Sequence, residues 1–182
     1  MRNLVKRLLV KKKIPFRAHA LPPEKLTALE AAEFLHAAPE TVYKTIVTLH
    51  RPDQQPILAL VPAAHQVDLK ALARGLGLKK IHLTTQREAE AITGLETGGI
   101  SPLALLHRRF TVVLDQSIRN HEQIFLSGGQ RGLNVQLAPT DLITLTRARI
   151  LPISKPEGQS RQGNERAAPG PLSKPDLKQS AG

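Results

Sequence analysis

Apolar residues recur along this chain at two different rhythms. Leu4, Val5, Leu8 and Leu9 fall at helical spacing and predict a first helix within Met1 to Lys13. Residues 16–20 read as a strand. Thr27 with Glu30 makes a capping box, in which each residue satisfies an amide the helix start leaves free, and predicts a helix to about His36. Val42 to Leu49 is rich in β-branched residues and predicts a strand. A turn over 51–56 holds two prolines, and Ile57 to Val61 follows as the returning arm of a hairpin. Asp68 caps a helix that stops around Gly75 and Gly77. After a short strand at 79–83, Thr85 with Glu88 forms a second capping box, and Gly94 ends that helix. Phe110 to Leu114, Ile124 to Ser127 and Leu133 to Leu137 predict further strands, and Pro139 to Thr146 a last helix.

Strands that follow one another, with helices placed irregularly between them, predict an α+β domain with a mixed sheet. The regular strand–helix alternation of a doubly wound fold is missing, and no internal repeat is visible. From Pro152 onward the chain turns rich in Pro, Gly, Ser, Lys and Gln. Such a stretch buries too little to offset its ordering entropy. The expected division is therefore a domain over 1–151 and a disordered tail over 152–182.

Composition narrows the picture. Hydrophobic residues make up 41% but aromatics only 3%, so Leu, Ile, Val and Ala must fill the core. The net charge is +11, and the segment after Pro152 holds only five basic against three acidic residues. The charge thus belongs mainly to the domain and points to a polyanionic partner, most simply nucleic acid. With no cysteine, disulfides, thiolate metal sites and a Cys nucleophile are excluded. A cytoplasmic setting fits. No stretch approaches the roughly 18 apolar residues of a membrane span, so no membrane partner is expected. The basic N-terminus lacks the long apolar run of a targeting peptide.

Three places invite a chemical reading. Lys44 sits in the predicted strand Val42 to Leu49, both of whose faces are largely apolar. It either stands at a cleft wall, where it binds an anion or polarises a carbonyl, or snorkels past the strand into water. Gly98 and Gly99 precede Ile100, Ser101 and Pro102. Adjacent glycines let a backbone approach a ligand, Pro102 fixes the exit, and the amides can form an anion nest or oxyanion hole. The plain alternative is an ordinary loop. Ser127, Gly128, Gly129 and Arg131 lie in a Gly-rich connection between two strands. It is either a tight hairpin or a second backbone cradle near a phosphate or ribose. It is no Walker loop, since no Gly-Lys-Ser/Thr follows.

Other constellations are missing. No G-x-S-x-G elbow surrounds Ser101 or Ser127. The seven histidines make no H-x-x-x-H pair, so no metal is expected, and no cofactor motif is present. His19 and His65 could stand near a cleft or simply at the surface. Lys11 to Lys13 and Lys79 with Lys80 are basic clusters that suit an RNA backbone.

Taken in order, VYKTIVT around Lys44, GGISPL from Gly98 and SGGQRGLNVQL from Ser127 resemble the YbaK-type Cys-tRNA(Pro) deacylases. That family is related to the editing domain inserted in bacterial prolyl-tRNA synthetases, and the likeness runs from about Leu4 to Ile150. The resemblance implies a compact α+β domain with a curved, barrel-like mixed sheet and surrounding helices. It implies that Lys44 is the family's critical lysine and holds the aminoacylated 3′ end of a tRNA. Gly98, Gly99, Ser101 and Pro102 would be the catalytic loop. Ile100, Ser127, Gly128, Gly129, Arg131, Asn134 and Leu21 would bind substrate. Asn134 stands where better-known members carry Asp, and Leu21 where some carry Tyr, which bears on amino-acid specificity. The implied activity is trans-editing hydrolysis of mischarged tRNA, Cys-tRNA(Pro) first and small residues such as Ala next, with prolyl-tRNA synthetase as a further partner. Two other classes remain open: a non-catalytic RNA-binding or adaptor protein, and a module for a small phosphate or nucleotide.

Overall fold

The computed structural model describes residues 2–158. Helix α1 (Leu4–Lys11) begins where Asn3 Oδ1 accepts the Lys6 amide, and it buries Val5 and Leu9. Strand β1 (Phe16–Ala20) leads to α2 (Ala28–Phe34), which opens with the expected reciprocal bonds between Thr27 and Glu30. Strands β2 (Tyr43–His50) and β3 (Gln55–Pro62) form the hairpin, in register from Tyr43 with Pro62 to His50 with Gln55. There follow β4 (His65–Val67), α3 (Leu69–Leu76), β5 (His82–Leu83), α4 (Gln86–Thr93), β6 (Thr111–Asp115) and β7 (Ile124–Ser127). The last elements are β8 (Leu133–Leu137), α5 (Pro139–Thr146), β9 (Arg149–Leu151) and β10 (Ser154–Pro156).

The larger sheet has the order β5-β2-β3-β6-β9. It is mixed: β2 runs antiparallel to β3 and β5, while β6 runs parallel to β3 and β9. A second, antiparallel sheet has the order β1-β8-β7, and β10 pairs with β4 in a third. The α+β class and mixed sheet stand, but the barrel-like expectation does not. Closure needs a continuous ladder from first strand to last. Among the described residues the two main sheets share one isolated bridge, Val42 with Phe125, and each keeps its own edges.

Side-chain alternation along β3 explains why both its faces are apolar. Leu58 and Leu60 face a core that holds Val5, Leu9, Leu126, Val135 and Leu142. Ile57, Ala59 and Val61 face the other way, toward Leu72, Ala73 and Ile153. Ile153 is fully buried, so the folded unit continues past the boundary expected at residue 151. The Asp115 carboxylate accepts the amides of Ile153 and Ser154, both at 3.0 Å, and holds β10 against β4. One apolar side chain and one buried carboxylate thus fix a segment whose composition reads as tail. The rest of the expected tail, 159–182, lies outside the described residues. No helix among the described residues is long and apolar enough to cross a membrane.

Candidate active site

A cleft of about 470 Å³ opens between α2, the start of β2, β8 and the two Gly-rich loops. Lys44 stands on its wall. Strand β5 reaches only Thr48 and Leu49, so at Lys44 the ladder on that side of β2 has ended. The Lys44 ammonium donates to Ala63 O at 3.1 Å and to Glu157 Oε1 at 2.8 Å. Its side chain is 22% exposed, enough to keep the charge hydrated at the cleft mouth.

Gly98 and Ile100 line the same cleft from the loop after α4. Gly98 has φ +91°, a left-handed conformation that glycine adopts without strain. The Gly99 amide is spent on Glu96 O at 2.8 Å, whereas the amides of Gly98 and Ile100 carry no hydrogen bond among the described residues. Gly99 itself faces the other loop. A Cβ there would sit 2.9 Å from the backbone of Gln130 and Arg131, so the two loops touch main chain to main chain. Arg131 Nε reinforces this by donating to Thr97 O at 2.8 Å.

Ser101 and Pro102 are buried and do not line the cleft. Ser101 Oγ accepts the Leu103 amide and Pro102 opens a short 3-10 turn, Pro102–Leu105, so both fix the loop's exit. The connection after β7 is a hairpin turn. Gly128 donates to Leu133 O and Gly129 to Ser127 Oγ, which leaves neither amide for a ligand. A Cβ on Gly128 would strike Leu133 at 2.6 Å, and one on Gly129 would press on Val5 and Ala104. These two glycines and Arg131 therefore lie behind the cleft wall rather than on it, while Ser127 lines it.

Asn134 and Leu21 also line the cleft. Asn134 pairs in register with His19 on one side and Ser127 on the other, so the three share a sheet face. The residue is buried, 8% exposed. His19 is turned onto Gln136, at 3.0 Å, and Phe125, and neither it nor His65 lines the cleft. Burial pushes the Tyr43 phenol up to about 12, and its OH lies 2.8 Å from Ser117 Oγ, so it stays protonated at neutral pH. Among the described residues no three His, Asp or Glu side chains gather as metal ligands.

Several cleft residues escape sequence reasoning, Thr97, Lys25, Glu24 and Glu157 among them. Thr97 precedes the glycines, and its buried hydroxyl has no partner among the described residues. Its neighbour Gly98 is the one available signal. Lys25 donates to Gln86 at 2.8 Å and adds a second cation. Glu157 lies in the stretch that composition assigns to the tail, and nothing local marks it.

Fold and cleft together define an α+β domain in which a strand-borne lysine and residues of two Gly-rich loops line one recess, with two lysines, Lys25 and Lys44, balanced by two carboxylates, Glu24 and Glu157. The aminoacyl-tRNA editing domain family matches residues 22–145, and the chain belongs to that family. It is 30% identical over 153 residues to EbsC of Enterococcus faecalis, a candidate Cys-tRNA(Pro)/Cys-tRNA(Cys) deacylase, covering 83% of this chain and 92% of EbsC. A proline–tRNA ligase of Lactiplantibacillus plantarum is 28% identical over 103 residues, 57% of this chain but 18% of the ligase. Among solved structures, a candidate trans-editing enzyme for prolyl-tRNA synthetase superposes with a TM-score of 0.71 at 21% identity, covering 85% of this chain and 99% of that one. That likeness carries the fold.

Proposed function

We propose that this chain is a free-standing deacylase that hydrolyses the ester of mischarged tRNA, with Cys-tRNA(Pro) as its first substrate. The observation that carries the reading is the cleft itself. Lys44 lines it together with Gly98 and Ile100, whose amides carry no hydrogen bond among the described residues. In the reaction a water oxygen adds to the ester carbonyl carbon. The negative charge that develops on the carbonyl oxygen is met by amides and ammonium, and the bond to the ribose oxygen breaks as that oxygen takes a proton. An aminoacyl ester is already activated, so orientation and electrostatic stabilisation supply the acceleration, and a protein base is not required. A substrate thiol or hydroxyl, or a positioned water, fills that place.

Cysteine as the residue removed follows from the likeness to EbsC, and the cleft agrees with a small side chain set among Leu21, Ile100 and Asn134. The ligase match supports prolyl-tRNA synthetase as the partner that supplies tRNA identity. A cytoplasmic setting goes with that substrate. The test is to incubate the protein with a panel of charged tRNAs and follow ester loss. Release of cysteine from tRNA(Pro) ahead of cognate proline is the expected result, and no release from any misacylated tRNA would reject the reading. Co-purification with prolyl-tRNA synthetase tests the partner separately. One observation favours a second reading, RNA binding without turnover: Lys44 is already paired with a carboxylate.

A further inference from the structure

Beyond the cleft, two adjoining concavities share residues. The Ser127–Gly132 loop borders the cleft through Ser127 and Gly132, and its reverse side, Gly128 to Gln130, borders a recess beside the start of α1. That recess contains Arg2 and shares His107 and Arg108 with a groove of about 1030 Å³. The groove adds Lys12, Arg109, Arg147 and Arg149. No acidic residue lines either concavity. Among the described residues, none of these cations pairs with a carboxylate. Arg108 instead stacks on Phe110, and Arg149 donates to Gly75 O. Unpaired like charges gathered in one depression repel each other and gain only when an anion arrives.

Position gives the anion its length. The groove meets β3 at Leu58, in mid-strand, and β6 at its first residue, Thr111, whereas Lys44 pairs with Val61 near the far end of β3. Leu58 and Val61 lie roughly 10 Å apart along the strand, counting about 3.3 Å per residue, and their side chains point to opposite faces of the sheet. A ligand that touches both must extend past the Ser127–Gly132 loop, which separates the cleft from the recess, and a polynucleotide has that length.

From the cleft outward, we infer that this track holds the phosphodiester backbone of the substrate RNA upstream of its reactive 3′ end. The inference rests on the deacylase reading for the direction of the RNA, and its test separates the two. The proposal requires affinity to come from the track and chemistry from the cleft. The probes are uncharged tRNA for binding, and charged tRNA and 2′(3′)-O-aminoacyl-adenosine for hydrolysis. The variant is Arg109→Gln with Arg147→Asn, since Arg147 has φ +51° and asparagine tolerates that conformation. Lys79→Gln with Lys80→Gln removes equal charge from exposed positions off the track.

The track variant is expected to bind uncharged tRNA about tenfold more weakly, with a salt dependence shallower by about two. Its KM for charged tRNA rises in parallel, and hydrolysis of aminoacyl-adenosine is unchanged. Wild-type affinity and salt slope in that variant would overturn the track. So would an equal loss in the Lys79/Lys80 variant, or a loss of aminoacyl-adenosine hydrolysis in the track variant. If the native protein hydrolyses neither ester while the track variant still loses tRNA, the track stands and the deacylase reading fails.

Discussion

Lys44 Nζ and Glu157 Oε1, 113 residues apart in the chain, meet at 2.8 Å on the wall of the cleft. A substrate anion or carbonyl that takes the lysine must compete with that carboxylate. An ion pair this exposed contributes less than about 1 kcal/mol to stability, so removing it costs the fold little. Glu157→Gln is therefore expected to leave the melting temperature nearly unchanged. It lowers KM for charged tRNA by up to about fivefold, the factor that 1 kcal/mol represents. Steady-state deacylation checks this, and an unchanged KM would show that the pair does not compete with substrate.

Removing the cation has the opposite consequence. Lys44→Ala takes away the one lysine on β2 that lines the cleft, together with contacts to Ala63 O and a half-exposed carboxylate. Glu157 is left in water, so no charge is stranded in the interior. Deacylation is expected to fall by at least about 10²-fold, the usual cost of losing a group that stabilises developing charge. Circular dichroism and thermal denaturation should stay close to wild type. Full activity on a mischarged tRNA would remove Lys44 from the mechanism.

Gly99 tests the contact between the loops. An alanine Cβ there meets Gln130 and Arg131 backbone at 2.9 Å, and backbone cannot swing aside as a side-chain tip can. Gly99→Ala is expected to destabilise by about 1–3 kcal/mol and to lower deacylation as the loops part. Gly94→Ala is the comparison. Gly94 has φ +71° with nothing within 4 Å of a Cβ, so it pays backbone strain alone, away from the cleft. Gly94 borders the recess beside α1, so the readout is aminoacyl-adenosine: its hydrolysis per folded molecule should match wild type, and equal losses in the two variants would refute the loop contact.

The features legible in the sequence are those set by neighbours in the chain. Both capping boxes, the β2–β3 hairpin and the glycine stops of α3 and α4 depend on residues within a few positions of each other. Lys44 shows as a charge in an apolar strand for the same reason. Sheet closure is not written locally: the barrel-like expectation came from the family resemblance, and separate sheets are found. The work of Gly128 and Gly129 was hidden as well. A Gly-Gly pair signals close approach, but only the fold tells whether a ligand approaches or, as here, Leu133, Val5 and Ala104 do. Strand β10 and Glu157 were least legible, because what orders them is a carboxylate nearly forty residues earlier.

That carboxylate supplies the last prediction. Asp115 is 3% exposed and accepts three amides, Ser117 on Oδ2 and both Ile153 and Ser154 on Oδ1. Asp115→Ala leaves those donors without an acceptor in the interior and is expected to cost about 3 kcal/mol or more. Asp115→Asn retains an oxygen for Ile153 and Ser154 but turns an N–H toward Ser117, so its cost is smaller. Because Asp115 fixes the segment that carries Glu157, its loss should also free Lys44. Hydrogen exchange over 153–157 should quicken in Asp115→Ala, and KM for charged tRNA should fall as in Glu157→Gln. Slow exchange at Ile153 and Ser154 in the alanine variant would show that the burial of Ile153, rather than the carboxylate, holds the strand in place.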